Sequence, residues 1–290
     1  MNSKLALGTA QFGLDYGVAN QLGQVCEIDV KNILATAGYT SILTLDTAIA
    51  YGESESVLGR VGVDNFDVVT KLSTCEGVDH SMIKDWVFES IQGSLRRLNL
   101  RNLYGVLLHR PLELLSDKGN SLYDGLVSLK ERNITGKIGI SVYEPSDLDK
   151  IIPNFDVDLV QLPLNVIDGR WDEWLTKLHQ DGVEVHVRSV FLQGVLLMSK
   201  DKLPVKFARW RGLWERWDAW ILENNVSSLT ACLHGLINKP EISKVIVGVD
   251  STRQLKEIVQ VLNSTSDIEI PERLKVKDPI LLNPSNWNQL

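Results

Sequence analysis

Eight short apolar runs recur along the chain, and each closes on a small or polar residue. They read LALGT, ILTLD, FDVVTKL, LYGVLLH, KIGIS, DLVQL, VEVHVRS and KVIVG, with Thr9, Asp46, Lys71, His109, Ser141, Gln161, Ser189 and Gly248 among their end residues. The stretches between them carry the pattern of amphipathic helices. Strands that alternate with helices make parallel βαβ units, and eight such units close into a (β/α)8 TIM barrel. That fold gathers reactive groups where its strands end. An acid, a lysine and a histidine among those ends therefore point to an enzyme.

The 290 residues suit one such barrel as a single domain over 1–290, since the fold commonly takes about 250 residues. A net charge of −7, with no basic run to offset it, lacks the electrostatic footprint of a nucleic-acid binder. Cys26, Cys75 and Cys232 lie far apart with no CxxC or Cys/His cluster. This indicates neither a disulfide framework nor a metal site. The start, MNSKLALGTAQFG, has no signal-like apolar core, and no stretch is long enough to span a bilayer. The expected setting is cytoplasmic, with no membrane partner. The oligomeric state is not legible.

Most strand-to-strand gaps are of a length that suits one helix and two loops. The gap from Ser189 to Gly248 is longer, so the segment 190–243 is enlarged. It holds RWRGLWERWDAW, with four of the eight tryptophans. Trp210, Trp214, Trp217 and Ile221 fall at i, i+4, i+7 and i+11, which predicts one stripe of a helix. Such a stripe faces the core, walls a substrate loop or meets another subunit. The tail 264–290, with Pro271, Pro279 and Pro284, should be mostly irregular with one short helix.

The densest chemistry lies in LDTAIAYGESESVLG. Asp46 closes a strand, and Tyr51 follows in the loop. Tyr51 is a candidate proton donor, but a free phenol titrates near about 10 and needs a nearby cation to exchange protons at neutral pH. Lys71 can be that cation, held charged by Asp46, and His109 can donate a hydrogen bond to a substrate oxygen. Each has a plainer reading: Asp46 as a helix N-cap, Tyr51 as packing, Lys71 as a solvated charge, His109 as a core histidine. Their shared position at consecutive strand ends favours one common pocket.

DTAxxYG, followed by strands ending in TK and LLHRP, then GKIGIS, VQLPLN and SVFLQGVLL, resembles the aldo/keto reductase family from about Leu5 to Gln260. The resemblance implies a barrel that binds NADPH or NADH without a Rossmann domain, in keeping with the missing GxGxxG. It implies hydride transfer between the nicotinamide and a small-molecule aldehyde or ketone, with a sugar or sugar derivative one candidate. Asp46, Tyr51, Lys71 and His109 match the family's catalytic four. Gly8 and Thr9 match the nicotinamide end, and Ser141 and Gln161 the carboxamide contacts. Ser189, Phe191, Gln193 and Gly194 match the pyrophosphate loop, and Gly248, Ser251, Gln254 and Glu257 the adenosine end.

Three residues depart from the pattern. Asp250 stands where many relatives place a basic residue for the 2′-phosphate of NADPH, with Arg253 and Lys256 nearby as compensation. Arg188 replaces an aromatic ring beside the nicotinamide; it can stack on that ring, meet an anionic substrate or pair with a buried acid. Ile258 replaces an amide near the adenine. Two other functions stay open: a cofactor-binding regulatory subunit with little turnover, and an aldolase-like barrel using Lys71 as a Schiff-base nucleophile.

Overall fold

A computed structural model describes residues 4–18, 20, 23–264, 266 and 268–289. Eight parallel strands form a closed barrel in sequence order: β1 Leu5–Gly8, β2 Thr44–Asp46, β3 Asp67–Leu72, β4 Leu103–Leu108, β5 Thr135–Ser141, β6 Leu159–Pro163, β7 Glu184–Arg188 and β8 Lys244–Gly248. β1 pairs with both β2 and β8, which closes the ring and leaves no free edge. The helices are α1 Ala10–Gly13, α2 Glu27–Tyr39, α3 Ser54–Val61, α4 Ile83–Leu98, α5 Gly119–Glu131, α6 Pro145–Ile151, α7 Asp172–Gln180, α8 Arg211–Glu223, α9 Ser228–Ile237, α10 Thr252–Leu262 and α11 Pro279–Leu282. The chain folds as the (β/α)8 barrel that its alternating pattern predicts.

Strand side chains alternate between two surroundings. The outward set, such as Leu45, Val68, Leu72, Val106 and Ile140, merges with helix stripes into one large core. The inward set fills the barrel. Val69, Leu107 and Leu159 form a separate apolar plug there. Deeper in, Tyr104 and Lys137 both donate to Glu184. At the C-terminal mouth the inward set turns polar, with Asp46, Lys71 and Gln161. The plug keeps the barrel solid and lifts the chemistry to the mouth.

The segment after β7 contains three short 3-10 turns, Val195–Leu197, Lys200–Lys202 and Val205–Trp210, before α8 and α9. The predicted stripe is corrected at its first member. Trp210 ends a 3-10 turn just before α8, only partly buried beside Phe207, and its indole donates to Asp278. Trp214, Trp217 and Trp220 are the buried ones. Trp214 donates to the Phe207 carbonyl and Trp217 to the Leu196 carbonyl, so these rings sit in the core. The residues after 264 contribute a 3-10 turn at Glu272–Leu274, α11 and a 3-10 turn at Pro284–Gln289. Trp287 from the last of these packs edge-on against Phe207, with ring centroids 4.8 Å apart.

Candidate active site

Asp46 is the last residue of β2, Lys71 the penultimate residue of β3, and His109 directly follows β4. Tyr51 lies in the loop between β2 and α3. That loop is held by backbone contact with α1: a methyl carbon on Gly13 would lie 1.9 Å from the Tyr51 carbonyl oxygen and 2.4 Å from the Ser54 nitrogen. Gly52 completes the contact from the other side, at φ +54. Gly13→Ala should therefore cost about 1–3 kcal/mol through overpacking and displace Tyr51. Urea unfolding checks this; a variant as stable as the parent would disprove the tight fit.

The Lys71 ammonium donates to Asp46 Oδ1 at 2.7 Å, Asp46 Oδ2 at 2.8 Å and the Thr47 carbonyl at 2.9 Å. Its three N–H groups are thus matched by three acceptors. Gln161 adds a fourth donor to this cluster, its Nε2 lying 2.6 Å from Asp46 Oδ1. The Lys71 nitrogen sits 5.0 Å from the centroid of the Tyr51 ring. The Tyr51 and His109 rings meet edge to face at 5.9 Å and 84°. Four residues from three strand ends and one loop therefore form a single cluster.

Burial dominates the electrostatics of this cluster. It pushes the Tyr51 phenol above its ordinary value, Asp46 pushes the same way, and Arg188 opposes. The Lys71 charge is itself balanced by the Asp46 carboxylate that accepts two of its N–H groups. Burial also lowers Lys71, with Asp46 opposing. His109 is brought down to about 4 by burial and by the Lys71 and Arg188 charges. It is a neutral imidazole at physiological pH.

One cavity of about 480 Å³ opens beside the cluster. Asp46, Tyr51 and His109 line it, whereas Lys71, 1% exposed, stands behind them. Of the expected cofactor residues, Gly8, Thr9, Arg188, Ser189, Phe191, Gln193, Gly194, Gly248, Gln254 and Glu257 are on its wall. Ser141, Gln161 and Ser251 are not. Gln161 is fully buried, bonded to Asp46 and approached by the Ser141 hydroxyl at 3.4 Å. Ser251 caps α10, its hydroxyl accepting from the Gln254 N–H.

The loop after β7 is wound through the left-handed region at Ser189, Leu192 and Gln193, with φ of 60, 49 and 51. Non-glycine residues adopt this conformation in only about a few per cent of cases, and here three fall within five residues of one loop. Asp250 and Ile258, two of the departures from the family pattern, line the cavity together. The Asp250 backbone N–H donates to Gln254 Oε1, while its own carboxylate Oδ1 is buried with no hydrogen-bond partner among the described residues. Arg253 pairs with Glu257 instead.

The third departure, Arg188, ends β7. Its Nη2 donates to the Val142 carbonyl at 3.1 Å, and its guanidinium lies 4.4 Å from the Tyr143 ring centroid. Among the described residues no carboxylate pairs with it, so the reading as one half of a buried ion pair is set aside. Gln11, Tyr16 and Tyr143 also line the cavity and were not anticipated. Gln11 sits in the single turn of α1 and Tyr16 and Tyr143 in loops, all too short for a periodicity to mark them. The position of Tyr143 two residues after Ser141 was the available signal.

A closed eight-stranded barrel with an acid–lysine–tyrosine–histidine cluster at its mouth defines a class of barrel oxidoreductases. The chain belongs to the aldo/keto reductase family, whose sequence model matches residues 4–277. An aldo-keto reductase of Mycolicibacterium vanbaalenii is 30% identical over 138 residues, covering 45% of this chain and 47% of that protein. The match thus spans about half the length of that relative. Among solved structures, an aldo-keto reductase of Bacillus halodurans in its holo form aligns with a TM-score of 0.73 at 21% identity, over 93% of this chain and 89% of that one. The glycerol dehydrogenase of Gluconobacter oxydans aligns with a TM-score of 0.70 at 19% identity, over 91% and 88%. Identities this low show a shared fold. Among the described residues no helix is long and apolar enough to cross a membrane, and no cluster of His, Cys, Asp and Glu could hold a metal ion.

Proposed function

We propose that this protein reduces an aldehyde or ketone to an alcohol, using NADPH or NADH. The observation that carries the reading is the Tyr51 phenol on the wall of one cavity, edge-on to a neutral His109 and backed by the Lys71–Asp46 pair. Tyr51 would give its proton to the carbonyl oxygen. His109 would orient that oxygen through an N–H. The ion pair behind them keeps the cluster rigid and dry.

The residues fit a nicotinamide dinucleotide. The cavity wall continues from Tyr51 through the 189–194 loop to Gly248 and the start of α10. An 11-residue helix opening there favours a phosphate group. A side chain at Gly248 would require the Gln11 amide, 2.4 Å from the added carbon, to move aside. When bound, the reduced cofactor would supply a hydride; the chain's own residues supply the proton and the orientation.

Lys71 does not suit Schiff-base chemistry, because its nitrogen is buried and fully engaged. Following the absorbance of reduced cofactor against a panel of small polar carbonyls tests the proposal. Tight cofactor binding without turnover on any member would instead support the regulatory-subunit reading. The panel should include sugars and polyol-derived aldehydes, since a structural neighbour is a glycerol dehydrogenase.

Asp250 favours NADH. Burial pushes its carboxyl up, and its unpartnered oxygen suits a ribose hydroxyl donor better than a second anion. The kcat/KM for NADH should exceed that for NADPH at least about tenfold, which corresponds to about 1.4 kcal/mol. Asp250→Asn should narrow the gap. A parent enzyme that prefers NADPH would overturn the assignment.

A further inference from the structure

Arg188 is an unusual group to find at this mouth. The cavity wall carries the acids Asp46, Asp250 and Glu257, yet among the described residues Arg188 is the one lysine or arginine on it. A guanidinium has five N–H donors. The structure pairs one of its nitrogens with a protein acceptor, the Val142 carbonyl. The Tyr143 ring supports the guanidinium by a cation–π contact, which fixes its plane. A pre-positioned fork of donors facing a cavity is suited to paired anionic oxygens.

Its position favours the substrate over the cofactor's phosphates. Arg188 belongs to β7 and leans on the β5–α6 loop, whereas the helix N-terminus suited to phosphate belongs to α10 after β8. Its charge also reaches the reacting groups, opposing the rise of Tyr51 and helping to lower His109.

Building on the carbonyl-reduction reading, we infer that the substrate carries an anionic group, a carboxylate or a phosphate, bound by Arg188 on its Tyr143 support. The carbonyl carbon accepts the hydride and its oxygen the Tyr51 proton, while the reduced nicotinamide is oxidised. The anionic group takes no part in the electron balance. It sets which end of the molecule enters and how the carbonyl is presented to Tyr51.

The test is a selectivity ratio. The holoenzyme is assayed on succinic semialdehyde against butanal, and on glyceraldehyde 3-phosphate against glyceraldehyde. The parent should prefer the charged member of at least one pair, and which pair distinguishes carboxylate from phosphate. Arg188→Leu should reduce the charged-to-neutral ratio of kcat/KM by roughly tenfold to a hundredfold, the range for charge-assisted hydrogen bonds. Arg188→Lys should restore part of it. A ratio within threefold of the parent in the leucine variant overturns the inference, as does a parent that prefers the neutral member of both pairs. Calorimetric titration of cofactor-loaded protein with succinate and with inorganic phosphate separates the two levels of the argument. Anion binding that is lost in Arg188→Leu, without turnover of any carbonyl, sinks the reductase reading and keeps the anion site. No binding of either anion sinks the anion site whatever the turnover.

Discussion

Replacing Tyr51 by phenylalanine should lower kcat for carbonyl reduction by about 10²–10⁴-fold, the usual worth of a positioned proton donor. The substitution removes one oxygen. The ring remains to pack edge-on to His109 and near Lys71, so cofactor affinity and fold should be preserved. Fluorescence titration with the reduced cofactor and steady-state rates on the best carbonyl together check this. Rates within threefold of the parent would remove Tyr51 from the proton-donor role. The same chemistry predicts a simple pH dependence. Burial and Asp46 hold the phenol in its protonated form, above the ordinary value, and His109 stays neutral down to about 4. Neither Tyr51 nor His109 should therefore introduce an ionisation step between about pH 6 and 9; a step inside that span would belong to Lys71, which burial lowers.

Lys71→Met should be the most damaging change to stability. It leaves the Asp46 carboxylate buried with Gln161 and without its counter-charge. Removing one partner of a buried pair costs about 3–5 kcal/mol. The double variant Asp46→Asn with Lys71→Met should recover most of that loss, since no uncompensated charge remains. Urea unfolding of the two single variants and the double gives the coupling directly. A single variant that loses under about 1 kcal/mol would mean that Asp46 protonates or hydrates instead of staying charged and buried.

The barrel was legible because each strand is a short apolar run and each helix carries its own period. The clustering of the candidate quartet was legible because strand ends at the mouth of a barrel converge, so that Asp46, Lys71 and His109 announced one place. Depth was not legible. Lys71 and Gln161 both have the right chemistry for the cavity wall, yet β3 and β6 continue beyond them, to Leu72 and Pro163. Both are therefore withdrawn from the wall. A one-dimensional pattern gives the face of a strand but not the height at which the cavity floor lies. Trp210 was misread for a related reason: nothing in the spacing signals where a 3-10 turn hands over to an α-helix. Tyr143 reaches the cavity from a loop and Gln11 from the one-turn helix α1, neither of which has a period to read.

The aromatic packing behind the cavity has a further consequence. Leu197 is on the cavity wall, its neighbour Leu196 accepts from Trp217, and three residues earlier on the same helix Trp214 meets Phe207, on which Trp287 also closes. The turn at residues 284–289 and α8 therefore share Phe207 as a packing partner, and α8 also holds the residue next to the rim. Packing lost at that turn is packing lost against the helix that supports the rim.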